Sequence, residues 1–168
     1  ALAMLVSVHA DEAENEKMAQ DVKNALSNLK AKDSSFENTL KKVHGYVIFP
    51  RIAKGGFIVG GAGGAGEVYE GGKLVGRAKL SQGTIGAQIG GQVFTEVILF
   101  ENAEALNRFK QSRWEMNAQV SAVAAAEGVA QNAKFSGGVA VITLPVSGLM
   151  AEASVGGQKL EFIPLEAK

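Results

Sequence analysis

The placement of glycine constrains this chain more than any other feature. The 168 residues hold 21 glycines, and many of them interrupt apolar, β-branched runs rather than gathering in a polar linker. With only 3 prolines and no three-residue period, they make neither a collagen repeat nor a disordered spacer. A glycine inside an apolar strand has nothing to pack, so it marks a tight turn, a bulge or a close approach of two backbones. Short β-rich runs separated by glycine extend from His44 onward, at 46–49, 57–59, 67–69 and 74–80, with a further pair across 84–100. Residues 120–126, 139–144, 149–155 and 160–163 read as later strands. Glu70-Gly71-Gly72-Lys73 has the composition of a two-residue hairpin turn, since glycine supplies the positive φ such a turn needs. Gly86, Gly90 and Gly91 mark places where a sheet bends or bulges.

Helical periodicity precedes the β region. From about 11 to 42, Val22, Ala25 or Leu26, and Leu29 recur three or four apart and share one face. A break is expected near Asp33. Ser34-Ser35-Phe36-Glu37 offers a capping box, after which Phe36, Leu40 and Val43 continue an apolar stripe. One internal helix is expected over 102–112, with Asn102 as its cap, Glu104 in its first turn, and Ala105, Leu106 and Phe109 on its buried face. The fold class is therefore α+β, mainly β: a glycine-rich, compact antiparallel sheet or barrel-like domain with an N-terminal helical region and one internal helix. Residues 11–168 read as a single domain, helical over 11–42 and β-rich over 43–168.

Residues 1–8 are almost wholly apolar, and Val8-His9-Ala10 has small residues spaced like a signal-peptidase site before Asp11. Residues 1–10 are accordingly expected to be a signal-peptide remnant or added residues, and the protein to be exported, periplasmic or associated with the outer membrane. No run reaches the ~18 apolar residues of a membrane-spanning helix.

Charge and composition narrow the function. A net charge of zero argues against bulk attraction to nucleic acid. The distribution is uneven, because 11–16 holds four acids and no base while 17–54 holds eight bases against Asp21, Asp33 and Glu37. The absence of cysteine removes disulfides, thiolate zinc sites and cysteine nucleophiles.

Motifs of catalysis and cofactor binding fail on inspection. Gly61-Ala62-Gly63-Gly64-Ala65-Gly66 matches G-x-G-x-x-G, but the next residues, Glu67-Val68-Tyr69-Glu70-Gly71-Gly72, read as a strand and turn where dinucleotide binding needs a helix. No ribose-binding acid stands at the required distance, and Gly61 to Gly66 is instead expected to form a strand-turn-strand connection. Gly72-Lys73 lacks the first glycine and the Ser/Thr of a P-loop, and Ser81 lacks a nucleophile elbow. The two histidines, His9 and His44, and the aspartates Asp11, Asp21 and Asp33 supply a catalytic triad poorly. His44 reads as an edge or cap residue and Trp114 as a packed one. No metal motif is present. The expectation is a protein that is not an enzyme, with no cofactor, no nucleotide and no nucleic acid partner.

In order along the chain, several segments resemble the SYLF domain family over roughly 29–165. Gly45-Tyr46-Val47-Ile48-Phe49-Pro50 looks like its glycine-hydrophobic-"FP" segment. Lys54-Gly55-Gly56-Phe57-Ile58-Val59-Gly60-Gly61 resembles K-x-G-F-x-x-G-G, and Ile85-Gly86-Ala87-Gln88-Ile89-Gly90-Gly91-Gln92 resembles G-x-Q-x-G-x-Q. The stretch 146–160, with Ser147-Gly148-Leu149 and Gly156-Gly157-Gln158, resembles the C-terminal signature. Where members commonly carry A-K-G, this chain has Val43-His44-Gly45, its lysines displaced to Lys41 and Lys42. The resemblance implies a mainly β fold with flanking helices and binding of lipid, with phosphoinositides favoured in eukaryotic members and actin filaments bound by some fungal ones. The expected partner is an anionic phospholipid or membrane surface, with another protein as the alternative. Lys41, Lys42, Arg51 and Lys54, which bracket the Gly45 strand, are the expected lipid-binding residues.

Overall fold

The computed structural model describes residues 2–54, 61–83, 92–111, 113–147 and 155–165. Two helices lead the chain, α1 (Leu2–Lys32) and α2 (Phe36–Lys42), and a third, α3 (Ala103–Phe109), lies between strands. The strands are β1 (Gly45–Lys54), β2 (Gly61–Glu70), β3 (Lys73–Gly83), β4 (Gln92–Phe100), β5 (Trp114–Glu115), β6 (Ala122–Ala124), β7 (Val139–Ser147) and β8 (Lys159–Pro164). Among the described residues they form one sheet in the order β5-β8-β3-β2-β1-β4-β7-β6. All pairs are antiparallel except β6 with β7, which is parallel. The α+β, mainly β reading holds, and the sheet is a curled half-barrel.

The curl follows from connectivity. Eight strands at about 4.8 Å spacing would span roughly 34 Å if flat. Yet β5 and β6, the two outermost strands, come from the single stretch 114–124, and the chain from Glu115 to Ala122 reaches at most about 25 Å fully extended. The edges must therefore approach each other, with this strap across the gap between them.

Both faces of the sheet are covered. On the concave side Val47, Phe49, Ile98 and Phe100 pack against Ala105, Leu106 and Phe109 of α3 and against Met116 and Val120 of the strap. On the convex side Tyr46, Ile48, Val97, Leu99 and Ile142 pack against Val22, Ala25 and Leu29 of α1, Phe36 of α2 and the loop residues Ala125 and Ala130. The expected helical faces are thus the buried ones. Trp114 packs as expected, edge-on to Phe100 and Phe109 at 6.1 and 6.0 Å.

Several expectations are corrected. The first helix begins at Leu2 rather than near residue 11, so the apolar run before His9 is helical from its second residue. The capping box does not form. Ser35 holds the N-cap position of α2 without a side-chain cap bond, because its N–H and hydroxyl both donate to Asp33 Oδ1, at 3.0 and 2.7 Å. Ser34 instead donates to Glu127, and Glu37 pairs with Lys30 at 3.7 Å. The 120–126 strand shrinks to three residues, since the Val120 N–H turns back to the Asn117 carbonyl. Gly61–Gly66, expected to form a strand-turn-strand connection, lies wholly within β2. The expected strand at 57–59, most of that at 149–155, and Gly86, Gly90 and Gly91 fall outside the described residues.

The hairpin at Gly71-Gly72 is as expected, with φ of 59° and 80°, both positive as the turn requires. Asn102 caps α3 by accepting from the Ala105 N–H at 2.9 Å.

Candidate functional site

The glycine run is explained by a bulge. Between Ile48 and Ala53, β1 carries one residue more than β2, and between Phe49 and Ile52 one more than β4. Pro50, which has no N–H to give a ladder, sits inside this irregularity, where proline is tolerated. The bulged backbone leans on β2. A Cβ at Gly64 would stand 2.8 Å from the Arg51 carbonyl oxygen, and one at Gly66 only 2.2 Å from that of Ile48. These glycines admit a neighbouring strand, and no helix starts after them to present an N-terminus to a phosphate.

The four basic residues expected to bind lipid divide between the two ends of the sheet. Lys41 and Lys42 are exposed in the last turn of α2, beside the start of β1. Arg51 is exposed near the other end of β1, on the bulge. Lys54 is the last residue of β1, with its side chain outside the described part. Nine residue steps along a strand put the two pairs roughly 30 Å apart. Lys41 lines a small cleft of about 340 Å³ with Lys30, Glu37 and His44. Next to it Glu70 gathers two partners, accepting from Lys110 and lying 3.0 Å from His44 Nε2. The Lys110 ammonium, helped by His44 and opposed by partial burial, holds the Glu70 carboxyl below its ordinary range. His44 is thereby an edge residue in hydrogen-bond contact with Glu70.

Two glutamates that the sequence did not single out lie inside the sheet. On the convex face Glu67, 2% exposed, accepts from the Tyr69 hydroxyl at 2.8 Å. Tyr69 stacks on Tyr46 at 5.0 Å. Burial and the adjacent Glu67 charge push both phenols above their ordinary range. On the concave face Glu96 is fully buried and accepts from Gln158 Nε2 at 2.8 Å. Burial pushes its carboxyl up to about 7, against the opposing pull of that hydrogen bond. Glu96 was hidden because a lone acid within a strand, as in Phe94-Thr95-Glu96-Val97, is by default placed on a solvent face. The strand is in fact covered on both faces.

An apolar groove of about 520 Å³ opens where the strap, the 129–136 loop and β7 meet, lined by Val120, Val123, Val129, Phe135 and Val141. Its size is that of a small-molecule site, about 300–1,000 Å³. Among the described residues no cluster of three potential metal-ligating His, Cys, Asp or Glu side chains exists, and no helix is long and apolar enough to cross a membrane.

Residues 81–162 match the family model Ysc84, described as "Las17-binding protein actin regulator". That region covers β4, α3, the strap, β7 and most of β8. The chain is also 33% identical over 81 residues to beta cell expansion factor A of Aeromonas veronii, a match that covers 48% of this chain and 31% of that protein. The chain thus spans about a third of the length of the curated relative it matches. The family description names binding and regulation rather than a reaction.

Proposed function

We propose, from the match of residues 81–162 to the Ysc84 family model, that this protein is a non-enzymatic lipid-binding module of the cell envelope. In this reading it meets an anionic membrane surface with the end of the sheet where β1, β3 and β7 finish. One observation supports the reading: exposed basic strand residues and an exposed apolar one lie at that end. Arg51 is exposed on β1, Lys159 is exposed on β8 opposite Ser81, and Val146 on β7 is 52% exposed. The sequence between these strand ends, at 55–60, 84–91 and 148–154, carries a single charge, Glu152, together with Phe57, Ile58, Val59, Ile85, Ile89, Leu149 and Met150. Apolar residues flanked by cations suit an anionic interface, where each basic residue adds on the order of 1 kcal/mol.

A flat surface met end-on engages Arg51 and Lys54 but not Lys41 and Lys42. Flotation with phosphatidylglycerol vesicles at low salt tests this. Arg51→Glu with Lys159→Glu should weaken binding several-fold, while Lys41→Glu with Lys42→Glu leaves it near wild type. Equal binding to phosphatidylcholine vesicles at all salt concentrations would overturn the electrostatic reading. Loss of binding in the Lys41/Lys42 variant alone would move the site to the other end.

A second reading, a protein-interaction module, is favoured by the apolar groove and by Val123, 52% exposed on the three-residue edge strand β6. The family description points to actin-linked partners. Co-sedimentation with actin filaments that Val123→Lys abolishes, together with failed flotation, would select this reading.

A further inference from the structure

Among the described residues, two buried side-chain atoms lack a hydrogen-bond partner, Glu96 Oε2 and Gln158 Oε1. They belong to side chains that already touch. Gln158 Nε2 donates to Glu96 Oε1 at 2.8 Å, and both residues are 0% exposed. An ionised carboxylate and an amide carbonyl are both acceptors, so with Glu96 ionised neither orphan can answer the other. One added proton removes both deficits.

We propose that Glu96 and Gln158 form a proton-dependent clasp. Glu96 is the neutral acid, its Oε2–H donates to Gln158 Oε1, and the existing Nε2–H bond to Glu96 Oε1 closes a two-bond ring. The proton is taken from solvent as the chain folds and returned when the clasp opens. The surroundings suit a neutral pair. Phe49 of β1 and Thr143 of β7 stand opposite Glu96 in the ladder, Met116 of the strap is buried on the same face, and Gln82 of β3 lies 3.4 Å from Gln158 Nε2. None of these groups is charged or titratable in the ordinary range, and no charged group contributes to the upward shift of the Glu96 carboxyl.

The clasp joins distant parts of the fold. The Gln158 carbonyl accepts from the Met116 N–H at 2.8 Å, and the Gly157 N–H donates to the Met116 carbonyl at 2.9 Å. Gln158 therefore ties the strap to the 155–158 turn by its backbone and ties that turn to central strand β4 by its side chain. Loss of the proton leaves a buried carboxylate facing a carbonyl oxygen, a pairing that is relieved by moving the turn and strap outward to admit water.

The folded carboxyl, at about 7, lies above its ordinary value of 4.5. The proton's contribution to stability is therefore complete below about pH 4.5, declines as pH rises toward 7, and falls no further above that. Urea unfolding of the wild type and Glu96→Gln at pH 5 and pH 8 tests the clasp, because glutamine keeps a two-bond ring without a proton. The unfolding equilibrium constant of the wild type, relative to Glu96→Gln, should rise roughly 100-fold from pH 5 to pH 8. Amide exchange protection at Met116 and Gly157 should fall over the same range in the wild type and stay level in Glu96→Gln. Gln158→Leu, which removes the partner while leaving the acid, should lose protection at Met116 already at pH 5. A ratio that does not change with pH overturns the proposal. So does restoration of wild-type stability at pH 8 by calcium or sodium chloride but not by choline chloride, which would mean that the two oxygens hold a cation instead.

Discussion

Gly66→Ala puts the account of the glycine run at risk. The new Cβ would stand 2.2 Å from the Ile48 carbonyl oxygen, 2.9 Å from its carbon and 2.9 Å from Phe49 Cδ1, where real Cβ atoms essentially never come within 3.0 Å. Ile48 cannot simply retreat, for it is paired to Glu67 on one side and Val97 on the other. Relief requires about 1 Å of strand displacement in a sheet packed on both faces. Overpacking of this kind costs about 1–3 kcal/mol and more where backbone is the obstacle, so a loss of about 3 kcal/mol or more is expected. Gly63 in the same strand is the control. Its Cβ would meet only the Leu80 carbonyl oxygen, at an ordinary 3.5 Å, and Gly63→Ala should be neutral or stabilising by up to about 1 kcal/mol, since alanine restricts the unfolded chain. With a urea slope of about 2 kcal/mol/M, the two midpoints should differ by about 1.5 M or more. If Gly66→Ala unfolds within 0.5 M of Gly63→Ala (about 1 kcal/mol), the glycines are not there to admit β1.

Asp33 is expected to give the opposite pH response to Glu96. Its buried carboxylate accepts from the Ser35 N–H and hydroxyl and from the Gly128 and Ala130 N–H groups at 2.9 and 2.8 Å. Burial alone would raise its pKa, but these bonds outweigh it and leave the group below 3.8. The stability it supplies is thus present above about pH 4 and lost on further acidification. Asp33→Ala should cost about 3–5 kcal/mol by stranding buried donors and should flatten the acid limb of the stability curve measured by urea titration. Asn102→Ala removes the bond to the Ala105 N–H and should lower stability by about 1 kcal/mol, read from the urea midpoint with an unchanged slope.

The features legible in the sequence were those written in local pattern. Val22, Ala25 and Leu29 announce their shared face by spacing, Gly71-Gly72 its turn by conformational freedom, and Asn102 its cap by position. What stayed hidden depends on contacts distant in sequence. Asp33 looked like a simple helix break, yet it is the acceptor that docks the α1–α2 junction onto residues 95 and more positions away. Trp114-Glu115 is too short to read as a strand, and nothing local shows that Ala122–Ala124 pairs in parallel. Arg51 and Lys54 looked like neighbours of Lys41 and Lys42 because they are close along the chain, but an intervening ten-residue strand carries them to the other end of the sheet.

The strap behaves as a bowstring. Since one short run of chain is hooked to both rims of the sheet, at Trp114–Glu115 and at Ala122–Ala124, its length fixes the arc that the other six strands must follow. The two rims are mechanically dependent. A foreign strand that displaced β6 to add itself beside β7 would slacken the string and loosen β5 on the far side, so growth at one rim is opposed by contacts made at the other. Lengthening the run between Asn117 and Gln119 by a few residues would flatten the arc without touching any core side chain, which makes curvature a quantity that chain length alone can tune.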